Sequence, residues 1–281
     1  MRGAVIVRAG EPFRIEQLDL DEPRAGEVRV RMLAAGVCHS DLHVRDGEWP
    51  RPGPILAGHE GAGVIDAVGP SVDRRLVGRP VALNWLAPCL GCRSCRRGRP
   101  WACTGSAALE HRMPDGSTRV HRSDGTDVLP YCGLGTMADA AVVPIEAAIA
   151  LPGGVPPEVA ALIGCCVATG VGAVVNTARV PAGSAVVVIG LGGVGLSIVM
   201  GAALAGAARI VAVDRVPEKL DRARAVGATH GVMAADREGT DAAIREAAGG
   251  EPDFVFEAIG LSATIEQAIE LLPPGGTAVL V

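Results

Sequence analysis

Aromatic side chains are nearly absent from this chain: three Trp, one Tyr and three Phe in 281 residues. Hydrophobic residues still make up 49 % of it, so disorder is excluded and a core must be built from Ala, Val and Leu. Lysine is rarer still, with Lys219 alone beside 25 arginines. Neither sign of charge dominates: the net charge of -5 excludes the basic balance of a nucleic-acid protein, and no such partner is expected. No apolar run is read as approaching the roughly 20 residues that span a bilayer. The apolar start, residues 1–7, is soon interrupted by Arg8 and Glu11. Neither a membrane partner nor a signal peptide is therefore expected, and a cytoplasmic location is. Cysteine, by contrast, is plentiful. Of eight, four fall within residues 89–103, and in a reducing compartment that density points to metal before disulfides.

Short apolar or alternating runs at 4–7, 27–33 and 63–68, separated by Gly and Pro, predict strands in the first third. Residues 88–133 are rich in Cys, Arg, Gly and Asp with little periodicity, and read as loops held by something other than a core; 135–143 returns to strand. From about residue 157 the pattern alternates. Residues 157–177 are Ala-rich and helical in part. Strands are expected at 185–189, 209–213, 230–233, 254–257 and 277–281, with helices at 194–205, 218–226, 241–248 and 263–271. That order is a doubly wound parallel sheet, so the fold class is α/β, with a β-rich domain over 1–166 and a nucleotide-binding domain over 167–281.

Gly190-Leu191-Gly192-Gly193-Val194-Gly195 contains G-x-G-x-x-G, a weak signal alone. Here it follows a predicted strand and opens a helix, and Asp214 closes the next strand nineteen residues after Gly195, near the usual spacing of about 20. Gly190 and Gly192 let the backbone approach a pyrophosphate favoured by the helix N-terminus, and Gly195 lets helix and sheet pack closely. The alternative is a glycine-rich turn without a ligand. Asp214 would accept hydrogen bonds from ribose hydroxyls and repel a 2′-phosphate, which points to NAD; Arg215 argues the other way. Lys219, one helical turn past Asp214, is either a cofactor contact or a solvated helix residue.

Cys89-x2-Cys92-x2-Cys95-x7-Cys103, in a lobe spanning 88–104, supplies four thiolates suited to closed tetrahedral zinc. A bacterial ferredoxin opens alike, but its fourth Cys follows after three residues and precedes Pro. Here the gap is seven and Thr104 follows. Arg93, Arg96, Arg97 and Arg99 suggest a nucleic-acid module, yet the spacing fits no such finger, and a solvated loop is the simpler account.

Cys38-His39-Ser40-Asp41-Leu42-His43 and Gly58-His59-Glu60-Gly61 gather a thiol, three imidazoles and two carboxylates into two short segments. Singly, such residues are most often ordinary surface or core groups. In combination with the four-cysteine lobe and Gly190–Gly195, in this order, and with Leu162-Ile163-Gly164-Cys165 between the last two, over nearly the whole chain, the sequence resembles the zinc-containing medium-chain alcohol dehydrogenases. The long loop over 104–143 looks more like the dimeric liver-type and formaldehyde-type members of that family.

The resemblance implies a GroES-like catalytic domain followed by a Rossmann domain, two zinc ions per chain, NAD, and a small-molecule alcohol or aldehyde as substrate. It implies that Cys38, His59 and Cys165 hold the catalytic zinc, that Cys89, Cys92, Cys95 and Cys103 hold the structural one, and that Glu60 lies close behind the catalytic metal. Asp41 would orient His59 through its free ring nitrogen. Ser40 would take the alcohol proton and pass it, through the cofactor ribose, to His43. His39, Thr169, Gly193, Val194 and Lys219 would contact the cofactor, and Trp85 would wall the substrate pocket. Cys132 and Cys166 are left over as buried small residues. Reversible oxidation of a primary or secondary alcohol leads. Thiol-adduct formaldehyde oxidation is a rival that the bulk of Trp85 disfavours, and a zinc- and nucleotide-binding protein with little turnover is the rival of another class. The Rossmann half is expected to be incomplete, with five strands where the family has six. The chain by itself is then expected to be a poor catalyst, and a full-length form a homodimer.

Overall fold

The chain carries two styles of strand. One consists of short alternating stretches, the other of almost unbroken Val and Ile. The computed structural model, which describes residues 1–281, assigns them to two compact units, Met1–Cys165 and Cys166–Val281.

In the first unit, Arg2–Ile6 pairs antiparallel with Arg14–Gln17 and with Ile55–Leu56, which in turn pairs parallel with Leu129–Pro130. A second sheet has five strands in the order Ala140–Pro144, Glu27–Gly36, Glu60–Val68, Pro80–Leu83 and Ala148–Ala150. Its central pair is long and irregular, with register shifts at Arg29/Val30 and Met32/Ala34. Such bulges bend a strand and re-aim its end, and here that end leads into Cys38. Val28, Val30, Ile65, Val81, Leu83, Leu134 and Val143 form the core of this sheet.

Two expectations need correction here. Residues 105–133 are not merely tethered loops: they bury Met113, Val120, Val128, Leu129 and Tyr131. They also bury Arg119, which binds Glu27 through two hydrogen bonds of 2.9 and 2.5 Å and Asp115 through one of 2.8 Å. The strand expected at 135–143 begins only at Ala140; Gly135 sits at φ 62°, and Ala138 makes only an isolated bridge to Gly3.

The second unit holds a parallel sheet in the order His230–Met233, Arg209–Asp214, Ala185–Ile189, Phe254–Glu257 and Thr277–Leu280. The sequence-expected strands lie within a residue of these bounds. Val186–Ile189 and Ile210–Val213 are wholly buried, as a parallel sheet covered on both faces requires. One face packs Ile198, Val199 and Ala202 of the helix Gly193–Leu204 with Leu220 and Ala223 of Pro217–Ala225. The other packs Ile244 and Ala248 of Arg237–Ala248 with Ala268 of Ser262–Glu270.

The expectation that no apolar run nears bilayer length fails at Pro157–Ala178. This helical run has 22 residues and mean hydropathy 2.0, long and apolar enough to cross a membrane by those measures alone. It is helical throughout, rather than in part, with wider turns at Ile163–Val167 and Ala173–Ala178. Packing accounts for part of its composition, while Val159, Leu162, Ile163 and Val175 are exposed. Ala160 and Ala161 lie in a core cluster with Ala62, and Gly170 packs against Ser197 and Val194.

Candidate active site and metal centres

Cys38 caps the helix His39–Asp46 in an extended conformation. Its N–H is taken by Asp41, three residues on, at 3.1 Å. The same carboxylate, fully buried, accepts a second hydrogen bond from Gly58 N at 3.0 Å. Asp41 therefore ties the start of this helix to the turn that presents His59. Gly58 has φ 91°, and a Cβ there would meet Thr136 Oγ1 at 2.6 Å and Met137 N at 2.7 Å, so both conformation and space require glycine. The expected partnership of Asp41 with the His59 ring has ion-pair distance: His59 Nδ1 lies 3.7 Å from Asp41 Oδ1, beyond a hydrogen bond. Asp41 acts on His59 through its charge and through the turn it holds at Gly58.

Cys165 reaches the same place from the wide turn Ile163–Val167. The donor atoms of Cys38, His59 and Cys165 lie within 4.8 Å of one another. Their electrostatics are those of two acids competing for one pocket. A hydrogen bond from Cys165, helped by His59 and Ser40, outweighs burial and holds the Cys38 thiol down to about 3. Cys165 is pushed up in return, by Cys38 first, then by burial and the charge of Glu60. Burial opposes a charge on His59, but Asp41 and Cys38 prevail and raise it to about 9. A second thiolate would need a cation, and two thiols with one imidazole fit the Cys2His set that the handling of catalytic zinc uses. Glu60 is buried, and its backbone carbonyl accepts the Thr136 hydroxyl at 2.8 Å.

Ser40 stands with its hydroxyl 3.6 Å from Cys38 Sγ. His39 is exposed and His43 half-buried, with ring centroids 4.7 Å apart. Trp85 packs against the inner face of the five-stranded sheet and lines, with Ala108, Cys132 and Leu134, a cavity of about 20 Å³. Cys166 is buried, while Cys132 is half-buried, at φ 51°, with its thiol pushed up by burial to about 12.

The four-cysteine lobe is organised around sulfur. Backbone N–H groups of Cys89 and Gly105 donate to Cys103 Sγ at 3.2 and 3.3 Å, and Cys92 N donates to Cys89 Sγ at 3.3 Å. Cys92 Sγ lies 3.5 Å from Cys95 Sγ, and all four sulfurs are within 4.8 Å of one another. Backbone N–H groups of Cys95 and Thr104 bring Cys92 down to about 5, whereas burial and then Cys92 and Cys103 push Cys95 up to about 12. The set again matches zinc, here closed by four sulfurs. Neither the helix Arg93–Arg96 nor the turn Pro100–Ala102 buries any residue. Arg93, Arg96, Arg97 and Arg99 are exposed.

In the second unit, Gly192 caps the helix Gly193–Leu204 just after the strand Ala185–Ile189, and a Cβ on Gly195 would overlap Gly190 O. Asp214 ends the next strand. Its carboxylate accepts Leu191 N at 2.8 Å and Val216 N at 3.1 Å, and Lys219 Nζ lies 3.3 Å away. Burial opposes its charge, yet these donors keep the carboxyl below its ordinary value. Arg215 is exposed. Thr169 is exposed beside Gly170, which touches Val194 and Ser197 of the dinucleotide helix.

Residues 24–153 match the alcohol dehydrogenase GroES-like domain, and 193–281 match the zinc-binding dehydrogenase domain. A relative from Amycolatopsis methanolica, an NDMA-dependent alcohol dehydrogenase, is 41 % identical over 99 % of this chain and 76 % of its own length. The chain belongs to the zinc-binding alcohol dehydrogenase family. Among solved structures, an alcohol dehydrogenase zinc-binding domain protein from Burkholderia ambifaria matches with TM-score 0.90 and 39 % identity, over 99 % of this chain and 76 % of that one. Acetophenone reductase from Geotrichum candidum, in complex with NAD, matches with TM-score 0.79 and 26 % identity, over 99 % and 74 %. Three features of the site were not read from the sequence: the pairing of Glu48 with His43, the buried His111, and the backbone role of Asp41. Only Glu48, just past the Gly47 that ends the helix, left a visible signal.

Proposed function

We propose that this member of the family reversibly oxidises a primary or secondary alcohol to its carbonyl, with NAD as hydride acceptor. The observation that carries the reading is the meeting of Cys38, His59 and Cys165, from three separate segments, within 4.8 Å. Zinc held there would supply a Lewis acid for the alcohol oxygen, and NAD, when bound, would take the hydride. Ser40 would take the alcohol proton, a role its position beside Cys38 supports. His43, at the surface end of the same helix, hands the proton to solvent. Glu60 adds a buried carboxylate near Cys165, and Trp85 walls the pocket. Asp214 takes the ribose hydroxyls, with Lys219, His39 and Thr169 as further cofactor contacts and Gly190–Gly195 as the pyrophosphate turn. A second zinc in the four-cysteine lobe keeps the lobe folded.

NAD is supported by the acid at the end of the second strand and by the NAD complex of a structural relative. The long segment over 104–143 supports the long-loop branch and, with it, a homodimer. The test is steady-state reduction of NAD by the zinc-loaded protein across primary and secondary alcohols, with a hydroxymethyl thiol as competitor. Turnover of simple alcohols is expected, slow in this chain by itself. Preference for the thiol adduct, or reduction of no nicotinamide cofactor by any alcohol, would overturn the reading.

A further inference from the structure

The helix His39–Asp46 ends at Gly47, left-handed at φ 82°, whose N–H returns to Val44 O at 3.2 Å. The chain then folds back along the helix, and Trp49 N donates to His43 O at 3.1 Å. This fold-back brings two side chains onto the His43 ring. Trp49 stacks on it, with centroids 4.7 Å apart and planes at 30°. Glu48 hydrogen-bonds its Nδ1. His39 adds a third ring contact at 4.7 Å. Asp46, near this ring on the same helix, is paired with Arg45.

Stability does not account for the arrangement. The Glu48 side chain is 62 % exposed, and an exposed ion pair of this kind contributes only about 0–1 kcal/mol. Trp49 is exposed too, in a chain with seven aromatics. The geometry suits a different task. Which imidazole nitrogen carries the proton is set by the hydrogen bond the other makes.

We propose that Glu48 is a positioning residue for proton release: its carboxylate accepts the Nδ1 proton in a hydrogen bond, fixing His43 as the tautomer whose Nε2 is a free acceptor, while Trp49 holds the plane of the ring. The inference rests on the reading of His43 as the exit of the proton route. In one turnover Nε2 takes the proton that leaves the alcohol, the ring is briefly cationic with Nδ1–H still on Glu48, and Nε2 then gives its proton to water.

The test combines nitrogen NMR of 15N-histidine-labelled protein with steady-state alcohol oxidation, for the unaltered chain, Glu48→Ala and Glu48→Gln. His43 should be protonated at Nδ1 in the unaltered chain and in Glu48→Gln, whose amide oxygen still accepts, and should lose that preference in Glu48→Ala. For Glu48→Ala, kcat should fall about tenfold, a part of the roughly 10²–10⁴-fold that a positioned acid–base group supplies. KM should hold, and added imidazole should restore the rate. An unchanged tautomer in Glu48→Ala overturns the proposal. So does a loss of kcat that tracks a lowered melting temperature and that imidazole does not rescue. A changed tautomer with unchanged kcat overturns it as well, and locates the failure in the relay role of His43.

Discussion

Asp214 shows how one side chain can serve two ends. Besides standing at the strand end where a ribose would bind, it accepts from Leu191 and Val216, so it also shapes the turn after Gly190. Replacing it with Gly should therefore do more than remove a ribose partner. Loss of a hydrogen bond to a charged group costs about 1.5–3 kcal/mol, so NAD affinity should fall by at least about tenfold. Asp214→Asn, which still accepts, should fall less while gaining tolerance of NADP. Fluorescence titration with both cofactors checks this, and tighter NADP than NAD binding in the unaltered chain would assign the choice to Arg215. His111 supplies a pH prediction. Burial, then the charge of Arg51, lowers it from 6.5 to about 4; its Nδ1 accepts Cys132 N at 3.0 Å and its Nε2 has no partner. A folded value below the unfolded one means that the unfolded chain binds more protons between the two. The neutral His111 thus contributes stability that is complete above about pH 6.5 and lost as the pH falls toward 4. Urea midpoints of the unaltered chain should drop across that window more steeply than those of His111→Asn, chosen because Asn tolerates the left-handed backbone at φ 58°. Parallel curves would contradict the assignment.

Among the elements, the four-cysteine lobe and the segment that follows it differ in what holds them. The lobe buries no residue of its own helix or turn, so metal must stand in for a core. Elemental analysis should find two zinc ions per chain. Cys95→Ser should remove one and lower the melting temperature, whereas Cys38→Ser should remove the other with little effect on it. Iron, or a well-folded protein without metal, would contradict both. Residues 105–133 instead hang on Arg119. Removing one partner of a buried ion pair costs about 3–5 kcal/mol, because the remaining charge is left uncompensated. Glu27→Ala should destabilise by about that much in denaturant unfolding, and a change under about 1 kcal/mol would show that Asp115 alone suffices. These elements also mark the limit of what the sequence discloses. The parallel strands are legible because each is a Val/Ile run between breakers. The two-residue strands Asp19–Leu20, Ile55–Leu56 and Leu129–Pro130 are not, since their partners lie far along the chain. The ion pair of Glu27 with Arg119 spans 92 residues and has no local signature. The run Pro157–Ala178 is only partly explained by packing: Ala160, Ala161, Gly170, Ala173 and Val174 are buried, and about two thirds of the run is not, a division invisible in composition.

At the level of the whole molecule, the donors of chemistry were the most legible part. Cysteine spacing and the Cys38 and His59 segments name a metal chemistry without any coordinates, because few residue types bind zinc and thiols are rare enough to stand out. How those donors are held was not legible: Asp41 works through two backbone N–H groups, and Glu48 through a turn that only the folded helix end creates. Whether metal and hydride chemistry meet in this protein is tested directly by alcohol-dependent reduction of NAD measured before chelation, after it, and after zinc is returned. The expected result is activity that disappears with the metal from the site of Cys38, His59 and Cys165 and recovers with zinc. Activity that survives complete removal of that metal, or a zinc-loaded protein that reduces no NAD with any alcohol, would contradict it.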